Sequence, residues 1–370
     1  MQLSRTLRRL PFPLARWSSR RGVMDLRTVV SRLDAFAPPA LAESWDNVGL
    51  LVEPSPPHLV HRLLLTNDLT EDVLEEAVGM AADLVLSYHP PIFKALKRVT
   101  SGSWKERLVV KALEGRLAVY SPHTAYDALP DGVNDWLGRA VGPCTSVPLR
   151  LSSWLSHPGG FAHVLEFSHD PSESPVSRLK SLPGVRLHPS AVREDGDGAA
   201  RVRVSCSRDA LPQVLAVLTE WPRAYSSVEL LNLQKPPLLD TGMGRLCTLT
   251  ESVSIATALE RIKAHLDLRH LRLALGRGKT LESSVSTVAV CAGSGSSILS
   301  GVPADLYLTG EMSHHDVLDV VAEGRSVVLC EHSNSERGFL KELRGKIQEM
   351  LEGKVEVVVS QADRDPLQVV

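Results

Sequence analysis

Short, wholly apolar runs alternate with amphipathic segments along the first third of the chain. Leu63-Leu64-Leu65-Thr66 and Leu84-Val85-Leu86 read as strands buried on both faces, and Glu71 to Ala82 between them reads as a helix. The alternation runs from about Asp25 to Cys144 and predicts α/β layers. Between Val147 and Pro236 the texture changes, bordered by polar and proline-rich stretches at Ser152 to Gly160 and Gln234 to Pro237. Inside those borders the pattern predicts strand Ala162 to Phe167, helix Ser172 to Ser181, strand Val185 to His188, strand Ala200 to Cys206, helix Leu211 to Glu220 and strand Val228 to Leu233. That βαββαβ order is ferredoxin-like. The α/β alternation resumes after Gly242-Met243-Gly244-Arg245 and runs to Val370. The expected organisation is therefore a leader at 1–23, an α/β first half at 24–146, a ferredoxin-like α+β insertion at 147–236 and an α/β second half at 237–370.

Several of these strands end in side chains suited to metal binding. Asp83-Leu84-Val85-Leu86-Ser87-Tyr88-His89 is halted by Pro90-Pro91, which cannot donate to a ladder, so His89 is held at a strand tip. Leu117 to Asp127 repeats the design, with His123 after a proline and Asp127 beyond it. His332 and Glu336, in Cys330-Glu331-His332-Ser333-Asn334-Ser335-Glu336-Arg337, are four apart at an expected strand-to-helix junction. On a helix that spacing puts an imidazole and a carboxylate on one face, where both can reach one cation. Ligands of open α/β sheets collect beyond the carboxyl ends of the strands. A divalent metal site is the expected chemistry.

Two further clusters leave their readings open. The strand Thr287 to Cys291 feeds Ala292-Gly293-Ser294-Gly295-Ser296-Ser297, and the amides of Gly293, Ser294 and Gly295 can either cradle an anion or form a tight turn against a neighbouring strand. It is not a Gly-x-Gly-x-x-Gly fingerprint, and Gly276-Arg277-Gly278-Lys279-Thr280 lacks the first glycine of a P-loop. Thr309-Gly310-Glu311-Met312-Ser313-His314-His315-Asp316 offers His315 as a pocket-lining group, or else Ser313 as a helix cap with solvated histidines after it. The acidic loop Arg193 to Gly198 reads as a solvated turn, with too few spaced carboxylates for calcium.

Composition narrows the classes. The 370 residues, 43% hydrophobic and 23% charged, suit about two soluble domains. No apolar stretch approaches the roughly 20 residues that span a bilayer, so no membrane partner is expected. Five cysteines without a Cys-x-x-Cys read as reduced thiols, Cys330 among them as a buried strand-end thiol. Arg5, Arg8, Arg9, Arg16, Arg20 and Arg21 precede the first acid, Asp25, which matches a mitochondrial transit leader, and Met24 offers a second start for a cytoplasmic and nuclear form. Without those six arginines the formal charge falls from −2 to −8. Direct nucleic-acid binding is not expected.

The ordered set Glu43-Ser44-Trp45-Asp46-Asn47-Val48-Gly49-Leu50, His89-Pro90-Pro91-Ile92-Phe93, His123-Thr124-Ala125-Tyr126-Asp127, Gly242-Met243-Gly244-Arg245, Gly293-Ser294-Gly295, Thr309-Gly310-Glu311 and His332 to Glu336 resembles the Ngg-interacting-factor-three-like family, also labelled GTP cyclohydrolase I type 2 homologues. The resemblance covers about Met24 to Val370 and is close to the animal branch. It implies a discontinuous α/β core with a dinuclear metal site, a central insertion and ring-like homo-oligomers. By position it implies His89, Asp127, His332 and Glu336 as ligands, with Glu336 bridging. Where the family commonly has a His-His pair, this chain has Tyr88-His89, and a neutral phenol is a poor ligand at neutral pH. One well-held ion of zinc, manganese or iron is therefore expected. The resemblance implies two roles: an oligomeric, metal-binding co-regulator that joins transcription-regulatory or other multisubunit complexes, or a metal-dependent hydrolase of a nucleotide or related phosphorylated small molecule, with His315 or His123 moving protons.

Overall fold

The computed structural model describes residues 22–170, 175–188 and 200–370. The expected leader through residue 21, the start of the expected helix at 172–174 and the acidic loop at 193–198 lie outside them. The chain is a mixed α/β protein with several sheets. It forms two compact units: one from the residues up to Tyr126 together with Glu331–Val370, the other from Asp127–Cys330.

In the first unit a five-stranded sheet is ordered Glu356–Val359, Arg62–Thr66, Leu84–Ser87, Ala118–Ser121 and Gly49–Val52. The first four strands are parallel and the last is antiparallel. Parallel strands are covered on both faces, which is why Leu63, Leu64, Leu65, Leu84, Val85 and Leu86 form unbroken apolar runs and are all fully buried. Leu64, Val85 and Val119 pack against Val73, Leu74 and Ala77 of helix Glu71–Gly79 and Leu108, Val109 and Ala112 of helix Trp104–Glu114. Both helices start at a hydroxyl cap: Thr70 accepts from the amide of Val73, and Ser103 from that of Glu106. The first helix stops at Gly79, short of the expected Ala82. Ala81 takes a left-handed φ of 53°, and the amides of Ala81 and Ala82 turn back onto the carbonyls of Val78 and Ala77. Helix Phe339–Met350 packs on strands Glu356–Val359 and Arg62–Thr66, burying Phe339, Leu340, Leu343 and Ile347.

The second unit holds two sheets. One is six-stranded, ordered Arg272–Ala274, Ser326–Leu329, Leu306–Glu311, Ser284–Ser294, Pro237–Ser254 and Cys144–Ser153. The other has four antiparallel strands, ordered Glu229–Asn232, His163–His169, Ala200–Cys206 and Val185–Leu187. Numbered along the chain, that order is 4-1-3-2, with helices Val176–Lys180 and Leu211–Thr219 as its crossings. Leu165, Phe167, Val202 and Val204 bury one face against Leu179, Val214 and Leu218.

Candidate metal centre

Three adjacent parallel strands of the first unit end in polar pairs or turns: Thr66 leads to Asn67-Asp68, Ser87 to Tyr88-His89, and Ser121 to Pro122-His123. The ladder continues past the strands, with the amides of Tyr88 and His89 donating to the carbonyls of Thr66 and Asn67 at 2.9 Å each. Ser87 Oγ donates to the His89 carbonyl at 2.6 Å and Ser121 Oγ to that of Tyr88 at 2.9 Å. His89 is thus fixed by backbone pairing on one side and by serine hydroxyls before the two prolines end the pairing.

His332 and Glu336 converge by a different route from the one their spacing suggests. They flank a single 3-10 turn, Ser333–Ser335, rather than sharing an α-helical face, and the α-helix begins only at Phe339. The turn is held by the Ser335 amide and hydroxyl donating to the His332 carbonyl, and it leaves His332 Nε2 3.6 Å from Glu336 Oε1. The other carboxylate oxygen, Oε2, lies 3.3 Å from His89 Nε2. The rings of His89 and His332 are 5.2 Å apart. Each of the three residues offers one ligand atom, and these atoms lie within 4.8 Å of one another.

The donor set fits a divalent cation. Glu336 is only 4% exposed, and a buried carboxylate needs a positive partner. Burial opposes its ionisation, yet the charges of His89 and His332 and the side-chain Nδ2 of Asn67, donating at 3.1 Å, hold its pKa below the usual range. Nδ1 of His89 meets Asp68 Oδ1 at 2.9 Å, a carboxylate–imidazole pair that places the proton on Nδ1 and leaves Nε2 a lone pair. Nε2 is buried and has no hydrogen-bond partner, because its contact with Glu336 lacks hydrogen-bond geometry. Without an ion, burial pulls the His89 pKa down, but Glu336 and Asp68 outweigh it and raise it to about 10. Behind this layer, Arg337 lies 3.7 Å from Asp68 and 3.2 Å from Asp363, and Asp363 accepts from the Asn67 amide at 2.8 Å.

His123 stands beside the trio, its ring 5.3 Å from that of His89, and its Nδ1 meets Asp46 Oδ1 at 2.7 Å. Burial works against the Asp46 charge, but His123 and Thr124 lower its pKa. Tyr88 is 1% exposed, its ring 5.3 Å from His89 and 5.9 Å from His123. Trp45 and Phe93 are exposed, at 58% and 46%, with rings 5.9 Å apart and each within 6.3 Å of His123. Asn47 ties their two loops together by donating to the Ile92 carbonyl at 2.6 Å.

The other expected residues lie elsewhere. Asp127 sits on the short helix Thr124–Ala128, one residue past the break between the units, and is not one of the three converging groups. His315 is exposed in the second unit, on the first turn of helix His314–Ala322, where Ser313 caps the helix by accepting from the Asp316 amide. Gly293, Ser294 and Gly295 do not lead into a long helix. Strand Ser284–Ser294 runs through the first two and the following helix has four residues. The Gly295 amide donates to the Glu311 carbonyl at 3.2 Å, and a Cβ on Gly295 would fall 2.4 Å from Thr309 Oγ1, so close packing accounts for that glycine. Cys330 is buried, its thiol donating to the Thr309 carbonyl at 3.3 Å. Asp46 and Asp68 are functional neighbours that sequence reasoning alone does not single out. The signal for Asp68 was a polar pair directly after an apolar strand, as for His89.

The fold and site define an α/β protein with a His-His-Glu candidate metal centre at the carboxyl ends of parallel strands. The chain belongs to the Duf34/NIF3 (NGG1p interacting factor 3) family, whose profile matches residues 24–366. NIF3-like protein 1 of Rattus norvegicus is 57% identical over 356 residues, 95% of each chain. NGG1-interacting factor 3 of Saccharomyces cerevisiae is 29% identical over 359 residues, 93% of this chain and 97% of that protein. Among solved structures, a Staphylococcus aureus protein superposes with a TM-score of 0.68 at 20% identity, over 94% of this chain and 99% of that one, which shows the shared fold.

Proposed function

We propose that this chain is a divalent-metal-binding, self-associating protein that acts as a co-regulator through transcription-regulatory or other multisubunit complexes. The observation that carries the metal is the convergence of His89, His332 and Glu336 on one point where His89 Nε2 is buried and unbonded. Two imidazoles and a carboxylate suit zinc, manganese or iron. The name of the yeast relative, NGG1-interacting factor 3, supports a protein partner. So do the exposed Val147, Leu151, Trp154 and Leu155, close together along the chain in the second unit, since exposed apolar side chains can mark interaction sites. We read the 147–236 segment as a ferredoxin-like insertion into a discontinuous α/β core, and the protein as working in nucleus and cytoplasm with a mitochondrial form.

The test is a binding assay against the counterpart of NGG1, comparing wild type, Glu336→Ala and a chain lacking 147–236, with metal content and oligomeric state measured on each. The reading expects Glu336→Ala to lose metal and keep the partner, and the deletion to lose the partner. No binding by the wild type, or loss of the partner in Glu336→Ala with its oligomer intact, contradicts it.

A metal-dependent hydrolase of a nucleotide or related phosphorylated small molecule is the second reading. The Asp46–His123 pair beside His89 supports it, as do Trp45 and Phe93, whose exposed rings suit stacking on a base. A bound ion would supply Lewis acidity, while Asp46 would orient His123 and hold its Nδ1 proton so that Nε2 can accept one. Turnover of GTP with Mn²⁺ or Zn²⁺, abolished by His123→Ala and retained by Tyr88→His, would favour it.

A further inference from the structure

The antiparallel register between strands Cys144–Ser153 and Pro237–Ser254 sets Cys144 opposite Leu249 and Cys247 opposite Ser146. The two cysteines are therefore diagonal neighbours on one face of the sheet, close enough for each thiol to act on the other's ionisation. Their surroundings are unlike. Cys144 is half-buried at the start of the strand on the sheet's edge, while Cys247 is fully buried on the next strand in. Gly138 makes room for the inner sulfur, because a Cβ there would fall 2.7 Å from Cys247 Sγ. Cys330 and Cys291 instead donate to backbone carbonyls.

We infer that Cys144 and Cys247 are a hydroperoxide-reactive thiol pair, Cys144 attacking and Cys247 resolving, that closes to a disulfide stapling the edge strand to its neighbour. The Cys144 thiol is lowered to about 7 by the hydrogen bond from Cys247 and by Arg139, against burial and Asp135. Asp135 is itself neutralised by Arg245 at 2.9 Å. Cys247 is pushed up by its bond to Cys144 and by burial, as suits a thiol kept in reserve. In the first step the Cys144 thiolate attacks one oxygen of the hydroperoxide. An S–O bond forms, the O–O bond breaks, and an alcohol or water leaves with a proton, giving the sulfenic acid. In the second step Cys247 sulfur attacks that sulfur, the S–S bond forms, the S–O bond breaks, and the hydroxide departs as water with the Cys247 proton. Two thiols and one hydroperoxide thus give one disulfide, one alcohol or water, and one water.

The full chain, purified reduced, is treated with an equimolar amount of hydrogen peroxide and mapped by mass spectrometry of non-reduced peptides. The expected product is one cross-linked peptide pair holding Cys144 and Cys247, two hydrogens lighter and restored by dithiothreitol. Before oxidation, Cys144 should alkylate about tenfold or more faster than Cys247. Cys247→Ala should leave a sulfenic acid on Cys144 that dimedone traps, and Cys144→Ser, at a half-exposed position, should abolish the cross-link without loss of fold. Both thiols still open to alkylation after peroxide, sulfinic acid on Cys144 beside a free Cys247, or a cross-link to any other cysteine or chain would each overturn the assignment.

Discussion

Asp68 meets His89 Nδ1, and the ring of Tyr88 lies beside that of His89, so these two residues are where the proposed metal site can be tested one side chain at a time. Carboxylates behind a ligating histidine are worth about 10- to 100-fold in metal affinity. Asp68→Asn should therefore weaken zinc binding by about that factor in a competition titration with a chromophoric chelator. Unchanged affinity would show that Asp68 only neutralises Arg337. Tyr88→His adds a nitrogen donor 1% exposed and in contact with His89 and His123, and should raise the metal content above that of the wild type by elemental analysis. The raised His89 pKa gives a third expectation. Its folded value of about 10 lies above the ordinary imidazole value of 6.5, so in the metal-free chain the charged His89–Glu336 pair stabilises fully below about pH 6.5 and is lost as pH climbs through about 10. An ion needs the neutral imidazole and must displace that proton. Between those pH values affinity should rise with pH, and calorimetry in two buffers of different ionisation enthalpy should show a proton released at pH 8.

Helix Glu71–Gly79 ends where Ala81 adopts φ 53°, a conformation that costs a residue with a Cβ about 1 kcal/mol. Ala81→Gly should stabilise the first unit by roughly 0.5–1 kcal/mol in urea unfolding, and a loss would mean that the turn is held by contacts of the methyl group. This is also where the sequence stopped being legible. Apolar runs such as Leu63 to Leu65 could be read because parallel strands are buried on both faces, and Thr70 and Ser103 marked starts by their hydroxyls. The end at Gly79 could not, since no glycine stands at the left-handed position. His89, His332 and Glu336 were readable as polar groups at the ends of apolar strands. The 3-10 turn that joins the last two was not, because four-residue spacing alone does not distinguish it from an α-helix. The roles of Asp46 and Asp68 are not legible for a related reason: an acid in a loop before a strand, or just after one, is ordinary until the imidazole it meets, 77 and 21 residues away, is known.

At the scale of the molecule, the proposed metal chemistry and the proposed partner surface fall on different parts of the chain. The candidate centre is built wholly within the first unit, whereas the surface proposed for a partner draws on exposed side chains of the second, Val147, Leu151, Trp154 and Leu155 among them. No helix among the described residues is long and apolar enough to cross a membrane. The account rests on His89, His332 and Glu336 being ligands to one ion, and the most direct measurement is elemental analysis of the protein purified without added metal or chelator, beside Glu336→Ala. It predicts nearer one divalent ion per chain than two in the wild type and close to none in a folded Glu336→Ala protein. A wild type without metal that also fails to bind added zinc, or a variant with undiminished metal, would contradict it.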